Sequence, residues 1–359
     1  MEQGKGPLSV NQTLERYKFM AGSSFGNTMK TGQIAWRKRA LSNQTAGFHN
    51  KRSYDHILPR AKWELNLWSG IRSGSSMPLP DYLKKNSVQR HTGSHNLCSS
   101  WIMCANLYFP FCGSSGRELL AGFLRDEISS EISAVSSVEL EYVSSAVSPG
   151  ALGETGGSRG SAQTSPDVAF EVTTNVGPGV VLVECKFIEH SFYPCSGRKK
   201  SNNSGRAPNP NPSRCQDFGK VLSNPKNNCH LATWQRTYWD FLEPITDKNA
   251  GARLDCCPAA YGGYQLMRQH ALAEAIALSG QSPFVVSAVA YDERNSGLMK
   301  CMSRSTHLAD IRSDWAPLFR GKAQFSVFPH QKWVTWVRSH STGGAWSDWL
   351  EYVGDRYGF

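Results

Sequence analysis

Two short apolar runs in the middle of the chain constrain its fold more than any other feature. Residues 167–174 and 180–187 are rich in β-branched and aromatic side chains, and residues 175–179, with two glycines and a proline, separate them. Such runs joined by turn residues predict a β-hairpin with a slightly long turn. We therefore expect an antiparallel ribbon around which the rest of the chain packs.

The predicted hairpin carries two carboxylates and one lysine. Asp167 opens the first strand, directly after Pro166, and Glu184 and Lys186 lie in the second strand. Because residues two apart on a strand share a face, Glu184 and Lys186 point the same way, whereas Cys185 points into apolar packing. Pairing across the turn brings Asp167 to the end of the ribbon near Lys186.

These residue types predict a metal site that cuts phosphodiester bonds. Mg²⁺ prefers carboxylate and water oxygens, and two carboxylates leave positions open for a phosphate oxygen. The bound ion stabilises developing charge and lowers the pKa of an attacking water, while a lysine orients that water or offsets charge. Glu-x-Lys alone is usually a solvated ion pair and Pro-Asp alone is a frequent turn, so the signal lies in their combination.

The flanking segments add a helix over residues 117–128, a strand over 138–143, a helix over 264–278 and a strand over 282–291. The resulting order, helix, three antiparallel strands, helix, strand, resembles the core of the PD-(D/E)XK nuclease superfamily. More narrowly, the chain is similar to a bacterial restriction-endonuclease-like family. Several segments carry this resemblance, which spans roughly residues 54–359: 54–59, 66–68, 99–110, 159–165, 184–192, 264–268 and 349–357.

The resemblance implies a fold and roles for the hairpin residues. It implies a mixed α/β fold, with a restriction-endonuclease-like αβββαβ core and helical additions at both ends. Asp167 and Glu184 would be metal ligands and Lys186 the catalytic lysine. Cys185 departs from the aliphatic residue that is usual at its position. Since that position gives the metal only a backbone carbonyl, we expect the change to be harmless.

A further acid and phosphate contacts are expected around this set. Four residues before the second strand could supply the acid, and the sequence does not choose among them: Glu118, Glu139, Glu141 and Glu154. A solvated loop charge is an equally good interpretation of Glu154. On the second helix, Gln265 and Arg268 would reach the phosphate, or else they are simply helix surface.

The charge of the chain is compatible with a DNA partner. Lys and Arg number 39 against 29 Asp and Glu, which gives a net charge of +10. A basic surface favours phosphate binding because it releases counterions. Basic residues cluster over residues 84–95 and 198–226, and the second cluster follows the hairpin directly. The residues expected to grip a duplex backbone, unless they are only solvated loop, are Arg198, Lys199, Lys200 and Arg206.

Ten cysteines do not indicate a disulfide scaffold in a chain of this length. Five of them fall between the hairpin and the second helix: Cys195, Cys215, Cys229, Cys256 and Cys257. They contain no Cys-x-x-Cys pair, and the adjacent Cys256 and Cys257 cannot readily bind one ion together. Free thiols are therefore expected there, and zinc or an iron–sulfur cluster is not.

The composition divides the chain into four parts. Residues 1–50 are predicted to be a loosely attached polar arm, and residues 51–112 an aromatic, partly helical segment packed on the core. Residues 113–292 hold the nuclease core, with an irregular loop insert over 194–228. Residues 293–359 are predicted to be a helical segment whose tryptophans pack on the core.

The sequence as a whole predicts an endonuclease that hydrolyses DNA with Mg²⁺, which Mn²⁺ can replace. Restriction or another defence against foreign DNA is the role that the resemblance implies. The alternatives are a repair or structure-specific nuclease and a catalytically inactive nucleic-acid-binding module. No signal segment or membrane span is visible, so a cytoplasmic protein is expected. Because duplex cutters often pair two sites by two-fold symmetry, a homodimer is expected.

Overall fold

A five-stranded mixed sheet forms the centre of the protein. The computed structural model describes residues 24–42, 45–74, 77–200, 206–245, 256–303, 306 and 308–359. The strands are β1 Gly47–His49, β2 Arg52–Tyr54, β3 Ile132–Leu140, β4 Val168–Thr174, β5 Gly177–Lys186, β6 Glu243–Pro244, β7 Phe284–Tyr291, β8 Phe319–Arg320 and β9 Gln324–Pro329. In the central sheet they follow the order β3-β4-β5-β7-β9. The first three are antiparallel, and β7 and β9 add in parallel.

Helices of very different length surround the sheet. They are α1 Ser24–Ala40, α2 Ser69–Arg72, α3 Leu79–Lys85, α4 Ser100–Tyr108, α5 Ser114–Glu127, α6 Phe218–Ser223, α7 Pro225–Asn228, α8 His230–Thr233, α9 Tyr264–Ser279, α10 Ser296–Met299, α11 Ile311–Asp314, α12 His330–His340 and α13 Ser347–Tyr357. Short 3₁₀ helices cover Arg60–Asn66, Phe109–Cys112, Pro149–Leu152, Ser196–Arg198, Pro212–Cys215, Tyr238–Asp240, Pro258–Tyr261 and Ala316–Leu318. No helix in these described ranges is long and apolar enough to cross a membrane.

The predicted hairpin is present, but its turn is shorter than the sequence indicates. Thr174 pairs with Gly177, so only Asn175 and Val176 lie outside the ladder. Gly177 has a φ of +127°, which only glycine adopts readily, and it allows this tight reversal. The predicted turn glycines therefore belong to β5. The prediction of a slightly long turn is wrong because composition does not show how far pairing continues.

The first strand of the sheet also differs in its bounds from the prediction. β3 begins at Ile132 rather than at residue 138, because Ile132, Ala134 and Val135 pair with β4 despite two register shifts in the ladder. It ends at Leu140 rather than at residue 143. The next residue, Glu141, has a φ of +48°, and this left-handed conformation turns the chain out of the strand.

The two faces of the sheet carry separate hydrophobic cores. We call the face with Val183 and Cys185 the first face; it packs against α4, α5, α12 and α13. The opposite or second face includes Leu182 and packs against α9 and the insert that follows β5. Gln269 of α9 donates from Nε2 to the Ala288 carbonyl at 2.9 Å and the Leu182 carbonyl at 3.3 Å. This bond fixes α9 over the junction of β5 and β7.

The two ends of the chain pack together. Of the predicted arm over residues 1–50, the described part includes α1, which contacts α13 and buries Gln33, Trp36 and Arg37. The C-terminal part carries the predicted helices α12 and α13 but also β9, a strand of the central sheet. The prediction of a mixed α/β fold is confirmed, whereas a purely helical C-terminal segment is not observed.

Candidate active site

Asp167, Glu184 and Lys186 lie together at the end of the β4–β5 hairpin. Val168 pairs with Val183, so Asp167, which directly precedes β4, lies beside Glu184. The backbone N–H of Cys185 donates to Asp167 Oδ2 at 2.8 Å, and Lys186 Nζ donates to Glu184 Oε1 at 2.6 Å. The Cys185 side chain belongs to the first-face core, as strand alternation requires. The strand ladder thus brings the three charged groups together.

Burial makes the charges of this group strongly interdependent. Glu184 and Lys186 are buried, and Asp167 is half-buried. Burial and the nearby Glu184 charge raise the pKa of Asp167 well above its usual range. Burial lowers the pKa of Lys186, but the Glu184, Glu189 and Asp167 carboxylates outweigh this effect and raise it overall. The site therefore holds a permanent cation among acids that repel one another.

Gln265, near the start of α9, also reaches this group. Its Nε2 donates to Glu184 Oε1 at 2.7 Å, so that oxygen accepts from both Gln265 and Lys186. The Gln265 Oε1 atom is buried and has no hydrogen-bond partner among the described residues. Arg268, one turn further on, instead donates to Thr164 and Glu154, each at 3.1 Å. Of the two helix residues predicted near the site, only Gln265 contacts it.

Glu141 is one of the four acids predicted as the additional carboxylate of the site. Glu141 is buried, and burial followed by the Asp167 and Glu184 charges raises its pKa well above the usual range. A Cβ at Gly160 would lie 2.9 Å from the Glu141 carboxyl carbon, so glycine at that position leaves the space that Glu141 occupies. These observations place Glu141 within electrostatic range of the site.

The other three candidate acids have partners or locations of their own. Glu154 is buried and accepts from Tyr238 at 2.7 Å and from Thr164 and Arg268, so it joins three segments. Glu139 pairs with Arg159 at 2.7 Å. Glu118 is exposed on α5, which packs on the first face, away from Glu184 and Lys186.

Three further residues surround Lys186 that the sequence analysis did not single out. Lys186 Nζ lies 5.7 Å from the centre of the Tyr193 ring and 5.8 Å from that of Phe192. Glu189 accepts from the Phe187 N–H at 2.7 Å and is within electrostatic range of the lysine. All three follow the end of β5. Strand periodicity does not extend to them, and the resemblance of residues 184–192 implies no role for them.

Comparison with known proteins identifies the family to which the chain belongs. A family model named REase-ARP, described as "Restriction Endonuclease associating with ARP", matches residues 29–358. The chain belongs to this family. No curated protein and no solved structure matches the chain. The resemblance to a restriction-endonuclease-like family is thereby confirmed, and REase-ARP membership indicates a nuclease, a hydrolase that acts on DNA.

The donor set of this REase-ARP member fits a hard divalent cation. The Asp167 and Glu184 carboxylates lie within electrostatic range of one another, and Glu141 adds a third acid within that range. Carboxylates this close repel one another unless a cation or a proton neutralises them. Across the described ranges, no three His, Cys, Asp or Glu side chains stand close enough to ligate one ion. In this conformation Glu184 Oε1 accepts hydrogen bonds from both Lys186 and Gln265.

The basic residues after β5 differ in their exposure. Lys199 and Lys200 are exposed. Arg198 is half-buried and donates to the Ala260 carbonyl at 2.8 Å. The Arg206 guanidinium lies 5.3 Å from the centre of the Trp234 ring. In this REase-ARP chain, Lys199, Lys200 and Arg206 are therefore the exposed members of the predicted group, and Arg198 is not.

Proposed function

We propose that the protein is a Mg²⁺-dependent endonuclease that hydrolyses phosphodiester bonds in DNA. The observation that carries this proposal is the meeting of Asp167, Glu184 and Lys186 on one hairpin, with Gln265 of α9 bonded to the same carboxylate. The element order α5, β3, β4, β5, α9, β7 supports a restriction-endonuclease-like core. Family membership supports the nuclease activity independently of these contacts.

Asp167 and Glu184 would hold the ion, together with the backbone carbonyl of Cys185, and Glu141 is our choice for the additional acid. Mg²⁺ bound there supplies Lewis-acid stabilisation of the phosphate and a more acidic water. Mn²⁺, which also prefers oxygen ligands, would serve in its place. The Cys185 N–H bond at 2.8 Å fixes the orientation of the Asp167 carboxylate and leaves its other oxygen available.

Lys186 would hold its proton throughout and stabilise negative charge on the phosphate or orient the attacking water. The Glu184, Glu189 and Asp167 carboxylates raise its pKa and keep it cationic despite its burial, and the Phe192 and Tyr193 rings exclude bulk water from one side. A cation fixed in a dry site stabilises developing charge more strongly than one in solvent. Gln265 would position the Glu184 carboxylate through its 2.7 Å bond.

The surroundings of the site suit a duplex substrate. Lys199 and Lys200 follow β5 and would contact the DNA backbone, together with Arg198 and Arg206. We further propose a cytoplasmic homodimer, since two-fold symmetry matches the two strands of a duplex. Restriction or defence against foreign DNA is the role we favour. The family description names an association with ARP, and we extend that association to this chain as part of the proposal.

A digestion experiment tests the substrate and the role. Purified protein would be incubated with unmethylated plasmid and phage DNA in Mg²⁺, in Mn²⁺ and in EDTA. We expect discrete fragments in either metal and intact DNA in EDTA. Nicking or smearing that EDTA abolishes would support the nuclease but favour a repair or structure-specific role. Retained DNA binding with no cleavage of any substrate in any metal would overturn the proposal in favour of an inactive binding module.

A further inference from the structure

Four cysteines from separate turns of the insert meet beside the second face of the sheet. Each stands at the end of a short element and far from the others in sequence. They are the cysteine cluster: Cys195, Cys215, Cys229 and Cys257. Each of the four thiols lies within electrostatic range of the other three. Four segments therefore come within electrostatic range of one another.

Backbone and side-chain hydrogen bonds hold these segments together. The Cys257 N–H donates to the Cys215 carbonyl at 3.0 Å, which joins two members of the cluster directly. The Arg214 guanidinium donates to the Asn228 carbonyl at 2.9 Å, and these two residues immediately precede Cys215 and Cys229. The convergence is thus set by the main chain and does not depend on the choice of thiol rotamers.

The turns that carry three of the four cysteines are closed by backbone hydrogen bonds. The Arg198 N–H donates to the Cys195 carbonyl at 3.3 Å, and the Ala260 N–H donates to the Cys257 carbonyl at 3.0 Å. The Cys229 carbonyl accepts in the same way from the Ala232 N–H at 3.0 Å. Burial raises the pKa of the Cys195, Cys229 and Cys257 thiols overall, although N–H groups of these turns lower it. An N–H group near a sulfur atom favours the thiolate, which is the form that binds a metal.

We propose that the cysteine cluster is a structural zinc site in which the four thiolates are tetrahedral ligands. Four-coordinate sites built from four cysteines are a standard structural use of Zn²⁺, and binding releases the four thiol protons to solvent. In the described part of the chain, the four sulfur atoms are not close enough together to ligate one ion. Since Zn–S bonds measure ~2.3 Å, the ion would draw the four turns inward.

The electrostatic surroundings are compatible with this assignment. Burial, followed by the neighbouring thiols, raises the pKa of Cys195 to about 12 and that of Cys215 to about 11. The metal-free thiols are therefore protonated at neutral pH. Four thiolates around Zn²⁺ carry a net negative charge, and Arg198 and Arg214 lie within electrostatic range of Cys215 to offset it.

A bound metal would hold the insert together, since the insert has little regular secondary structure. Its longest described helix, α6, has six residues, and the others are single turns. Segments with so little regular structure commonly depend on a metal or a disulfide. None of the ten cysteines, all of which the structure describes, forms a disulfide. A zinc site would thus fix the insert to the turn Pro258–Tyr261, which leads into α9.

The site would also support the segment that covers Lys186. The Cys195 N–H donates to the Ala259 carbonyl at 2.7 Å, and just before it the Phe192 carbonyl accepts from the Gln265 N–H at 3.0 Å. The Phe192 ring faces Lys186, and Gln265 contacts Glu184. The cysteine cluster is therefore continuous with the groups around the candidate active site.

This proposal replaces the expectation of free thiols at these positions. That expectation rested on the absence of a Cys-x-x-Cys pair and on the adjacent Cys256 and Cys257. Sequence spacing cannot show that Cys195 and Cys257, more than sixty residues apart, come together in the fold. Only Cys257 of the adjacent pair joins the cluster, so the objection that neighbours cannot share an ion does not apply.

Metal analysis of the full-length protein tests the proposal. The protein would be purified without chelators or a metal-affinity tag, and zinc, iron and sulfide would be measured per chain. The same measurement would be made on Cys215→Ser, on Cys215→His, which keeps a zinc ligand, and on Cys112→Ser, a half-buried cysteine outside the cluster. Substitution with Co²⁺ gives an independent reading, because tetrahedral thiolate coordination has its own absorption bands.

We expect stoichiometric zinc in the wild type, in Cys112→Ser and in Cys215→His, and a loss of about tenfold or more in Cys215→Ser. The Co²⁺ protein should show tetrahedral thiolate bands, which remain informative even when Cys215→Ser does not fold. The absence of zinc both as purified and after incubation with Zn²⁺ would overturn the proposal. Iron with inorganic sulfide, or undiminished zinc in Cys215→Ser, would also overturn it.

Discussion

At the scale of single residues, the candidate site holds carboxylates that repel one another, and a bound cation would reduce this repulsion. Glu141 and Asp167 have pKa values raised by burial and by neighbouring carboxylates, and Lys186 is the one cation that contacts Glu184 among the described residues. Sites tuned for function often lower the stability of the fold in this way. Removing an acid should therefore stabilise the protein and weaken its activity.

Glu141→Gln tests this trade-off. Because the pKa of Glu141 is raised in the folded state, the folded protein holds a proton that the unfolded chain releases as pH rises above about 4.5. The Glu141 contribution to the free energy of unfolding should therefore fall as pH rises through this window, and the Gln variant should lack this contribution. Thermal unfolding without metal at about pH 5 and pH 8 measures the difference.

The same variant should lose cleavage activity by about tenfold or more, since a metal-site acid is removed. Glu118→Gln, a change to an exposed acid on α5, is the matched control and should alter neither property. A Glu141→Gln protein that cleaves normally and keeps the wild-type pH slope would contradict the assignment of Glu141 to the site.

The sequence predicts the central residues of the site well and their neighbours poorly. Asp167, Glu184 and Lys186 follow from strand periodicity and hairpin pairing, which are local and regular. Glu141 could not be chosen over Glu154 because its position depends on a left-handed φ and on the space left by Gly160. Such features are set by packing between segments distant in sequence.

At the scale of secondary-structure elements, the long periodic segments are the predictable ones. Helix α9 and strands β4, β5 and β7 lie within one to three residues of their predicted bounds. Strand β9 was missed because Gln324–Pro329 is short, polar at one end and adjacent to a helix of similar composition. Its pairing with β7 comes from tertiary contacts rather than from its own pattern.

His330, the first residue of α12, should make the stability of the folded protein depend on pH in the acid range. His330 is fully buried between the Tyr108 hydroxyl, at 2.9 Å, and the Lys186 carbonyl, at 3.3 Å. Burial lowers the pKa of His330 from 6.5 to about 4. The unfolded chain binds a proton between these values and the folded protein does not, so stability is lost as pH falls through this window.

The expected loss from His330 is about 3 kcal/mol between pH 6.5 and pH 4. In His330→Gln this part of the pH dependence should disappear, whatever the stability of the variant at neutral pH. Urea unfolding across this range measures it, with the exposed His340→Gln as control. An unchanged slope in His330→Gln would show that the histidine is protonated in the folded protein.

At the scale of the whole molecule, one buried arginine joins the two ends of the chain. Arg356 of α13 donates from Nη1 to the Asn66 carbonyl at 2.5 Å, and from Nε to Gln33 of α1 at 3.2 Å. Its guanidinium also lies 4.3 Å from the centre of the Trp36 ring. The prediction of a loosely attached polar arm over residues 1–50 did not include this contact, because a polar composition does not show which polar groups become buried.

Arg356→Lys should destabilise the protein by about 3 kcal/mol, since an ammonium cannot reproduce the planar fork of donors or its stacking on Trp36. Thermal unfolding measures the change. The control is Arg338→Lys, an exposed residue that donates to the Phe359 carbonyl and should shift stability by less than about 0.5 kcal/mol. Equal effects of the two changes would argue against a role of Arg356 in joining the ends.

The rate of plasmid cleavage by Lys186→Ala in saturating Mg²⁺ decides whether the hairpin residues carry out the reaction. The wild type and Lys199→Ala, which removes an exposed lysine beyond β5, would be measured alongside, with folding checked by thermal unfolding. We predict that Lys186→Ala loses cleavage by ~100-fold or more while Lys199→Ala keeps at least about a third of it. Wild-type cleavage by a folded Lys186→Ala protein would contradict the account, because the chemistry would then lie elsewhere.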